Sequence, residues 1–226
     1  MDTIKIAIDG PAGAGKTTIS RSIASKFGFV YVDTGAMYRA VALKAKRAGL
    51  DLTSPEEIDS MMEDTTLDII HENGEQRILL DGVDVSGDIR DPEISMLASS
   101  ISAFYQVRHK LVQMQRDLAH KYNVVMDGRD ISSFVLPHAD LKFFLTATLE
   151  DRAIRRFEEL KGRNTDLRFD DVKKEMKHRD KNDAMRECSP LMLVADAIVI
   201  DTSDNTLDQS IEIVETIVRE KLINAL

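Results

Sequence analysis

Short apolar runs, several of them rich in β-branched residues, recur at residues 4–8, 29–32, 123–126, 141–145 and 197–200, and longer stretches of helical period separate them. That alternation predicts βαβ units, with a parallel sheet covered by helices on both faces. Helix starts are marked locally. Ser54, followed by Pro55 and by Glu57 three positions on, and Thr206, followed by Gln209, both read as capping boxes. The last helix then carries Leu207, Ile211, Val214, Val218 and Leu222 on one face, a stripe expected to pack on the sheet. One stretch breaks the pattern. Leu67, Ile69 and the run 78–80 flank Asn73-Gly74, and Asp81-Gly82 precedes Val83 and Val85. Asn-Gly between extended segments favours a tight hairpin, because both central residues must reach positive φ. Residues 65–90 are therefore expected to form a small antiparallel insertion at the edge of the main domain. No internal repeat, low-complexity tract or Gly/Ser linker is visible.

Length and charge narrow this picture. A chain of 226 residues suits one α/β domain with modest insertions. The formal charge of −9 argues against an extended nucleic-acid or anionic-membrane surface, so any phosphate ligand must be met by a local cluster of Arg and Lys. The sequence enters the strand-like TIKIAID without a basic leader, and no run of 18 or more apolar residues occurs. The expectation is a cytoplasmic protein with neither nucleic-acid nor membrane partners. The single Cys188 has no partner for an internal disulfide and reads as a packed thiol, and the five His residues show no metal-ligand spacing.

The strongest chemical signal is Gly10-Pro11-Ala12-Gly13-Ala14-Gly15-Lys16-Thr17, which fills every fixed position of G-x-x-x-x-G-K-[ST] between a predicted strand and a predicted helix. Glycines let the backbone turn several N–H groups toward a β-phosphate, and the helix N-terminus adds partial positive charge. Lys16 would span the β- and γ-phosphates, and Thr17 would offer its hydroxyl to Mg²⁺, a hard cation that prefers oxygen. The loop predicts nucleoside triphosphate binding but does not separate a kinase from a switch or a motor.

Three further clusters carry a family likeness: Asp33-Thr34-Gly35-Ala36-Met37-Tyr38-Arg39, Asp127-Gly128-Arg129-Asp130, and Arg179 to Arg186 within HRDKNDAMR. With Gly87-Asp88-Ile89-Arg90 and the segment 99–108 they resemble bacterial cytidylate kinase (CMP/dCMP kinase), a nucleoside monophosphate kinase family of P-loop proteins, in order over nearly the whole chain. The resemblance implies a P-loop NTPase-type α/β fold: a parallel sheet flanked by helices, a small antiparallel β-containing NMP-binding insertion and a short lid. The core would comprise residues 1–53, 120–150 and 190–226, the insertion about 54–119 and the lid about 151–189. It implies transfer of the γ-phosphoryl group of ATP to CMP or dCMP in a monomer, assisted by Mg²⁺.

By that resemblance, ATP is held by Gly10, Pro11, Ala12, Gly13, Ala14, Gly15, Lys16, Thr17 and Thr18, with Arg155 and Arg156 from the lid. CMP is held by Thr34, Arg39, Ser99, Arg108, Asp127, Arg129, Asp130, Arg179, Asp183 and Arg186. Lys16, Arg129, Arg179 and Arg186 are the catalytic group. Asp127 closes its strand in the position of a Walker B acid, which assigns it with Thr17 to the metal shell, through water, or else to the role of a purely structural hydrogen-bond acceptor. Physically, each arginine offers a planar fork of donors that matches phosphate oxygens. The carboxylate of Asp130 can only accept hydrogen bonds, so it attracts the amino group of cytosine and repels the carbonyl of uracil. The resemblance gives Ser99 and Arg108 the ring carbonyl and ring nitrogen, and Asp183 a sugar hydroxyl. Arg152, Arg155, Arg156 and the segment Lys161-Gly162-Arg163-Asn164 look like the family's lid. Two other readings stay open: a hydrolytic regulatory switch, although no N-K-x-D is present, and a kinase of a smaller, non-nucleotide acceptor.

Overall fold

The computed structural model describes residues 3–72, 75–162 and 167–223. The predicted turn Asn73-Gly74 and Arg163-Asn164 of the lid segment lie outside the described residues.

Five parallel strands form the core sheet: β1 (Lys5–Asp9), β2 (Val30–Asp33), β6 (Val124–Gly128), β7 (Leu141–Thr146) and β8 (Ile198–Asp201), in the order β2-β6-β1-β7-β8. A second sheet is antiparallel, β3 (Leu67–Glu72), β4 (Glu75–Leu80) and β5 (Val83–Asp84). All five predicted core strands are present within a residue or two. They were legible because strands covered on both faces have no polar side to alternate with, and Ile6, Ala7 and Ile8 of central β1 are all fully buried.

One face of the core sheet packs Ile6, Ile8, Val125 and Phe143 against Ile19 and Ile23 of α1 (Lys16–Phe27) and Val214 and Val218 of α8 (Leu207–Ile223). The other face packs Ala7, Val32, Val124 and Met126 against Val112 and Ala119 of α5 (Tyr105–Lys121). A third cluster joins α2 (Thr34–Ala48), α3 (Pro55–Glu63), α4 (Pro92–Ile101) and the buried side chains Leu67, Ile78 and Leu80 of the small sheet. The fourth is the seam between α6 (Leu149–Lys161) and α7 (Phe169–Met185), where Ala153, Val172 and Met176 pack with Ala12 of the phosphate loop. Helices α6 and α7 thus rest directly on that loop.

The capping signals have different outcomes. Thr206 and Gln209 form both halves of their box, the Thr206 N–H donating to Oε1 of Gln209 (2.8 Å) and the Gln209 N–H to Oγ1 of Thr206 (3.2 Å). Ser54 accepts from the Glu57 N–H (3.4 Å), but Glu57 turns its carboxylate to the Asp51 N–H (3.1 Å), so only half of that box exists. Asp81 (φ 50°) and Gly82 (φ 80°) make the tight β4–β5 turn, both central residues being left-handed. The stripe on α8 is corrected at its first residue. Val214 and Val218 are fully buried, whereas Leu207 is half exposed, because the first turn of α8 projects past the sheet into the cleft described below.

Candidate active site

The C-terminal ends of the parallel strands open into a cleft of about 680 Å³, where an open α/β sheet ordinarily binds its ligand. Its floor is the phosphate loop between β1 and α1. Gly10 (φ 146°), Gly13 (φ 75°) and Gly15 (φ 85°) take conformations that L side chains avoid. At Gly10 a Cβ would also lie 2.0 Å from the Leu145 carbonyl oxygen of the neighbouring strand. The loop therefore closes this tightly only with glycine there. Lys16 is buried, its Nζ donating to the Pro11 carbonyl (2.7 Å) across the loop. Burial first, and then the Arg129 charge, push its pKa well down. An ammonium so placed gains from any anion that arrives.

Thr17 and Asp127 meet at the start of α1, the Thr17 hydroxyl donating to Oδ2 of Asp127 (3.1 Å) and the Tyr31 hydroxyl to Oδ1 (2.9 Å). Burial, then the nearby Asp33 charge, push the Asp127 carboxyl up to about 6. The folded protein therefore holds this proton more tightly than the unfolded chain, whose carboxyl titrates near 3.8. Stability contributed by this group is present below that pH and lost as pH rises toward 6. Asp127→Asn is accordingly expected to raise the midpoint of thermal unfolding at pH 7–8 and to lose that advantage near pH 4, as scanning calorimetry at the two pH values would show. An equal shift at both would mean that Asp127 is not held against its charge.

On the opposite wall each arginine has a carboxylate partner. Arg39 Nη2 pairs with Oδ2 of Asp33 (3.0 Å), and Arg129 Nε with Oδ2 of Asp183 (2.8 Å). Asp130 is held from both sides, by Arg108 on Oδ2 and by Arg186 Nη2 on Oδ1 (3.1 Å). Ser99 Oγ reaches Oδ1 of Asp183 at 3.5 Å. Thr34 Oγ1 donates to the Asp127 carbonyl (2.8 Å), and only glycine at 128 permits this approach, since a Cβ there would lie 2.8 Å from that hydroxyl. Arg179 is the exception: its Nε is buried without a hydrogen-bond partner, and it forms no ion pair among the described residues. Burial and the Arg129 charge bring its pKa down to about 10. A buried guanidinium with a free donor is suited to an anionic ligand.

A family model described as Cytidylate kinase matches residues 6–220. Curated cytidylate kinases are similar over almost the full length: that of Caldicellulosiruptor saccharolyticus is 48% identical, covering 94% of both chains. That of Caldanaerobacter subterraneus is 48% identical over 96% of both, and that of Desulfitobacterium hafniense 47% over 97% of this chain and 94% of the relative. The chain belongs to the cytidylate kinase family.

For a member of the cytidylate kinase family the residues anticipated from sequence are largely gathered in one place. Ala12, Gly13, Ala14, Gly15, Lys16, Thr17, Thr18, Thr34, Arg39, Ser99, Asp127, Arg129, Asp130, Arg155, Arg156, Arg179, Asp183 and Arg186 all line the cleft. Gly10, Pro11 and Arg108 do not. Gly10 and Pro11, at the start of the loop, are buried. Arg108 stands behind Asp130, 2% exposed, with its guanidinium 5.9 Å from the Tyr38 ring and 5.7 Å from the Phe134 ring. Arg152, grouped with the lid arginines by its sequence neighbours, is buried under the phosphate loop. Its guanidinium donates to the Ala147 and Ala12 carbonyls (3.0 and 3.1 Å) and pairs with Asp180 (2.8 Å). Arg155 lies at the cleft wall, donating to Thr202 Oγ1 (3.0 Å), and Arg156 pairs with Glu159 (2.8 Å).

Several members of the site are not among the residues anticipated from sequence. Asp9 is buried at the end of β1 and accepts from the Ile131 and Ser132 N–H groups (2.8 and 2.7 Å), anchoring the turn after Asp130; burial raises its pKa. Tyr38 lines the cleft, and burial pushes its hydroxyl up to about 12. Thr202, Asn205, Leu207 and Ser210 line the end of the cleft beside Arg155, where β8 turns into α8. Arg90 and Tyr38 fall inside the motifs that carry the family likeness, so a signal for those two was available.

Proposed function

We propose that this chain transfers the γ-phosphoryl group of ATP to CMP, and also to dCMP, giving ADP and CDP or dCDP. The observation that carries the reading is a cleft with the phosphate loop at one end and, at the other, Asp130 fixed between Arg108 and Arg186. Between them lie Arg39, Arg129 and Arg179, the last without an ion pair among the described residues, so the charge available midway suits two phosphate groups brought end to end.

In this reading the core comprises residues 1–53, 120–150 and 190–226, the acceptor-binding insertion about 54–119, and the lid about 151–189. ATP lays its phosphates along the loop and its base against the Thr202–Asn205–Leu207 end of the cleft. A CMP phosphate oxygen forms the new bond to the γ-phosphorus as the bond to the β,γ-bridging oxygen breaks. The acceptor is already an anion, so no side chain must remove a proton from it. Lys16, Arg129, Arg179 and Arg186 hold the two phosphates in line and offset charge on the migrating group.

The Thr17 hydroxyl and the Asp127 carboxylate fit Mg²⁺: both are hard oxygen donors, and Asp127 is a buried carboxylate beside a second negative charge. Among the described residues no group of three or more His, Cys, Asp or Glu is placed to hold a metal unaided. Phosphate oxygens and water would complete the shell. The ion would supply Lewis-acid neutralisation of the phosphate oxygens. Asp130 accepts the cytosine amino group, and Asp183 accepts a sugar hydroxyl. The acidic chain with a single free cysteine is read as a cytoplasmic monomer.

A coupled assay of ADP formation with ATP and each nucleoside monophosphate tests the assignment. The expected result is the highest kcat/KM with CMP or dCMP, UMP well behind and AMP, GMP and TMP near background. Rates with AMP, GMP or TMP equal to that with CMP would remove the cytosine assignment.

A further inference from the structure

Strand β2 is an outer strand of the core sheet. The Val30 N–H bonds inward to the Asn123 carbonyl (2.8 Å), so the alternate residues Tyr31 and Asp33 turn their backbone groups outward. Such groups on an edge are ordinarily left to water or to a passing chain. Here two side chains of the insertion hairpin meet them. Gln76 Oε1 accepts the Asp33 N–H (2.8 Å) and Gln76 Nε2 donates to the Asp33 carbonyl (3.2 Å). His71 Nε2 lies 2.8 Å from the Tyr31 carbonyl. His71 and Gln76 are directly opposed across β3 and β4, so they share one face of the hairpin.

The gripped residue is chemically important. One carboxylate oxygen of Asp33 caps α2 by accepting the Ala36 N–H (2.8 Å), and the other pairs with Arg39 (3.0 Å). A carboxamide is the side chain that satisfies one peptide N–H and one carbonyl together. A carboxylate lacks the donor, and an aliphatic chain lacks both groups.

We propose that Gln76 is a positioning residue for the acceptor: by bonding both backbone groups of Asp33 it fixes the carboxylate that aims Arg39, so the insertion hairpin sets the geometry of the acceptor-phosphate site. This rests on the reading of the cleft in which Arg39 holds the CMP phosphate. Gln76 itself touches no substrate. Its influence passes through Asp33 alone, and so it should be felt by CMP and not by ATP.

The test titrates CMP into the full chain by calorimetry and measures steady-state kinetics with both substrates. Variants are Gln76→Ala, Gln76→Met, Gln76→Glu, Arg39→Ala and the Gln76→Ala/Arg39→Ala pair. Arg77→Ala serves as a control, since among the described residues Arg77 pairs at the surface with Glu72 and Asp84. A less well aimed Arg39 is expected to raise CMP Kd and KM about fivefold in Gln76→Ala, with ATP KM near wild type and the thermal midpoint lowered by the two lost hydrogen bonds. Gln76→Met, which keeps the bulk, carries the same expectation should the alanine variant fold poorly. Gln76→Glu shifts CMP binding in the same direction, Arg77→Ala does not, and the double variant binds CMP no more weakly than Arg39→Ala alone. Unchanged CMP affinity in Gln76→Ala and Gln76→Met, equal losses for both substrates, or additive losses in the double variant would overturn the positioning role. Weakened binding in Arg39→Ala beside normal binding in the Gln76 variants removes this inference only. Normal CMP affinity in Arg39→Ala removes the phosphate reading beneath it as well.

Discussion

Asp130→Ala is expected to lower kcat/KM for CMP by about 100-fold and to leave that for UMP far less changed, narrowing the ratio between the two bases. The argument is one of donors and acceptors. A carboxylate only accepts, cytosine presents an amino donor where uracil presents a carbonyl, and Asp130 lies at 5% exposure with little water to soften a mismatch. The substitution has a second consequence that separates structure from selectivity. Asp130 is the counter-charge of both Arg108 and Arg186, and removing one partner of a buried ion pair costs about 3 kcal/mol. A lower thermal midpoint is therefore expected alongside the kinetic change. Asp130→Asn keeps the size and can turn a donor toward the base, so it should favour UMP relative to wild type. Side-by-side kcat/KM for CMP and UMP decides the matter: a ratio unchanged in both variants would place base recognition elsewhere in the cleft.

Lys16→Ala is expected to behave in the opposite way toward stability. Its kcat falls by about 1,000-fold, the scale for removing a preorganised cation from the site of developing charge, while the thermal midpoint of the substrate-free protein holds or rises. Burial and Arg129 already disfavour the charge of Lys16, and its Nζ donates to the neutral Pro11 carbonyl. The side chain is a liability until phosphate arrives. Rate and unfolding midpoint measured on the same preparation test the pairing, and a kcat within tenfold of wild type would show that the lysine is not needed for transfer.

The parallel strands were readable from sequence because each is a continuous apolar run, and the phosphate loop because its spacing is set by backbone geometry within eight residues. The cleft's arginines were readable as a set by family likeness, but their partners were not. Asp9 reaches residues 131 and 132, Tyr31 reaches Asp127, and Gln76 reaches Asp33. Such contacts depend on which strands the fold makes neighbours, and no local period encodes that. Arg152 shows the same limit. Its neighbours in sequence suggest a solvated charged face, whereas its bond to the Ala12 carbonyl spans 140 residues and takes it beneath the loop. Leu207 fits the helical period of α8 and still emerges into the cleft, because periodicity assigns a face to a residue without saying where the sheet beneath it ends.

Arg39, Arg129 and Arg186 sit beside Asp33, Asp183 and Asp130 before any nucleotide arrives. Repulsion within the cationic cluster is thereby largely cancelled during folding, and an incoming phosphate has to compete with resident carboxylates for each guanidinium. A small, singly charged anion makes a poor competitor, while a nucleotide brings sugar and base contacts that reinforce its phosphate. For these three arginines the binding of an anion becomes an exchange of partners, while Arg179, without an ion pair among the described residues, has none to exchange.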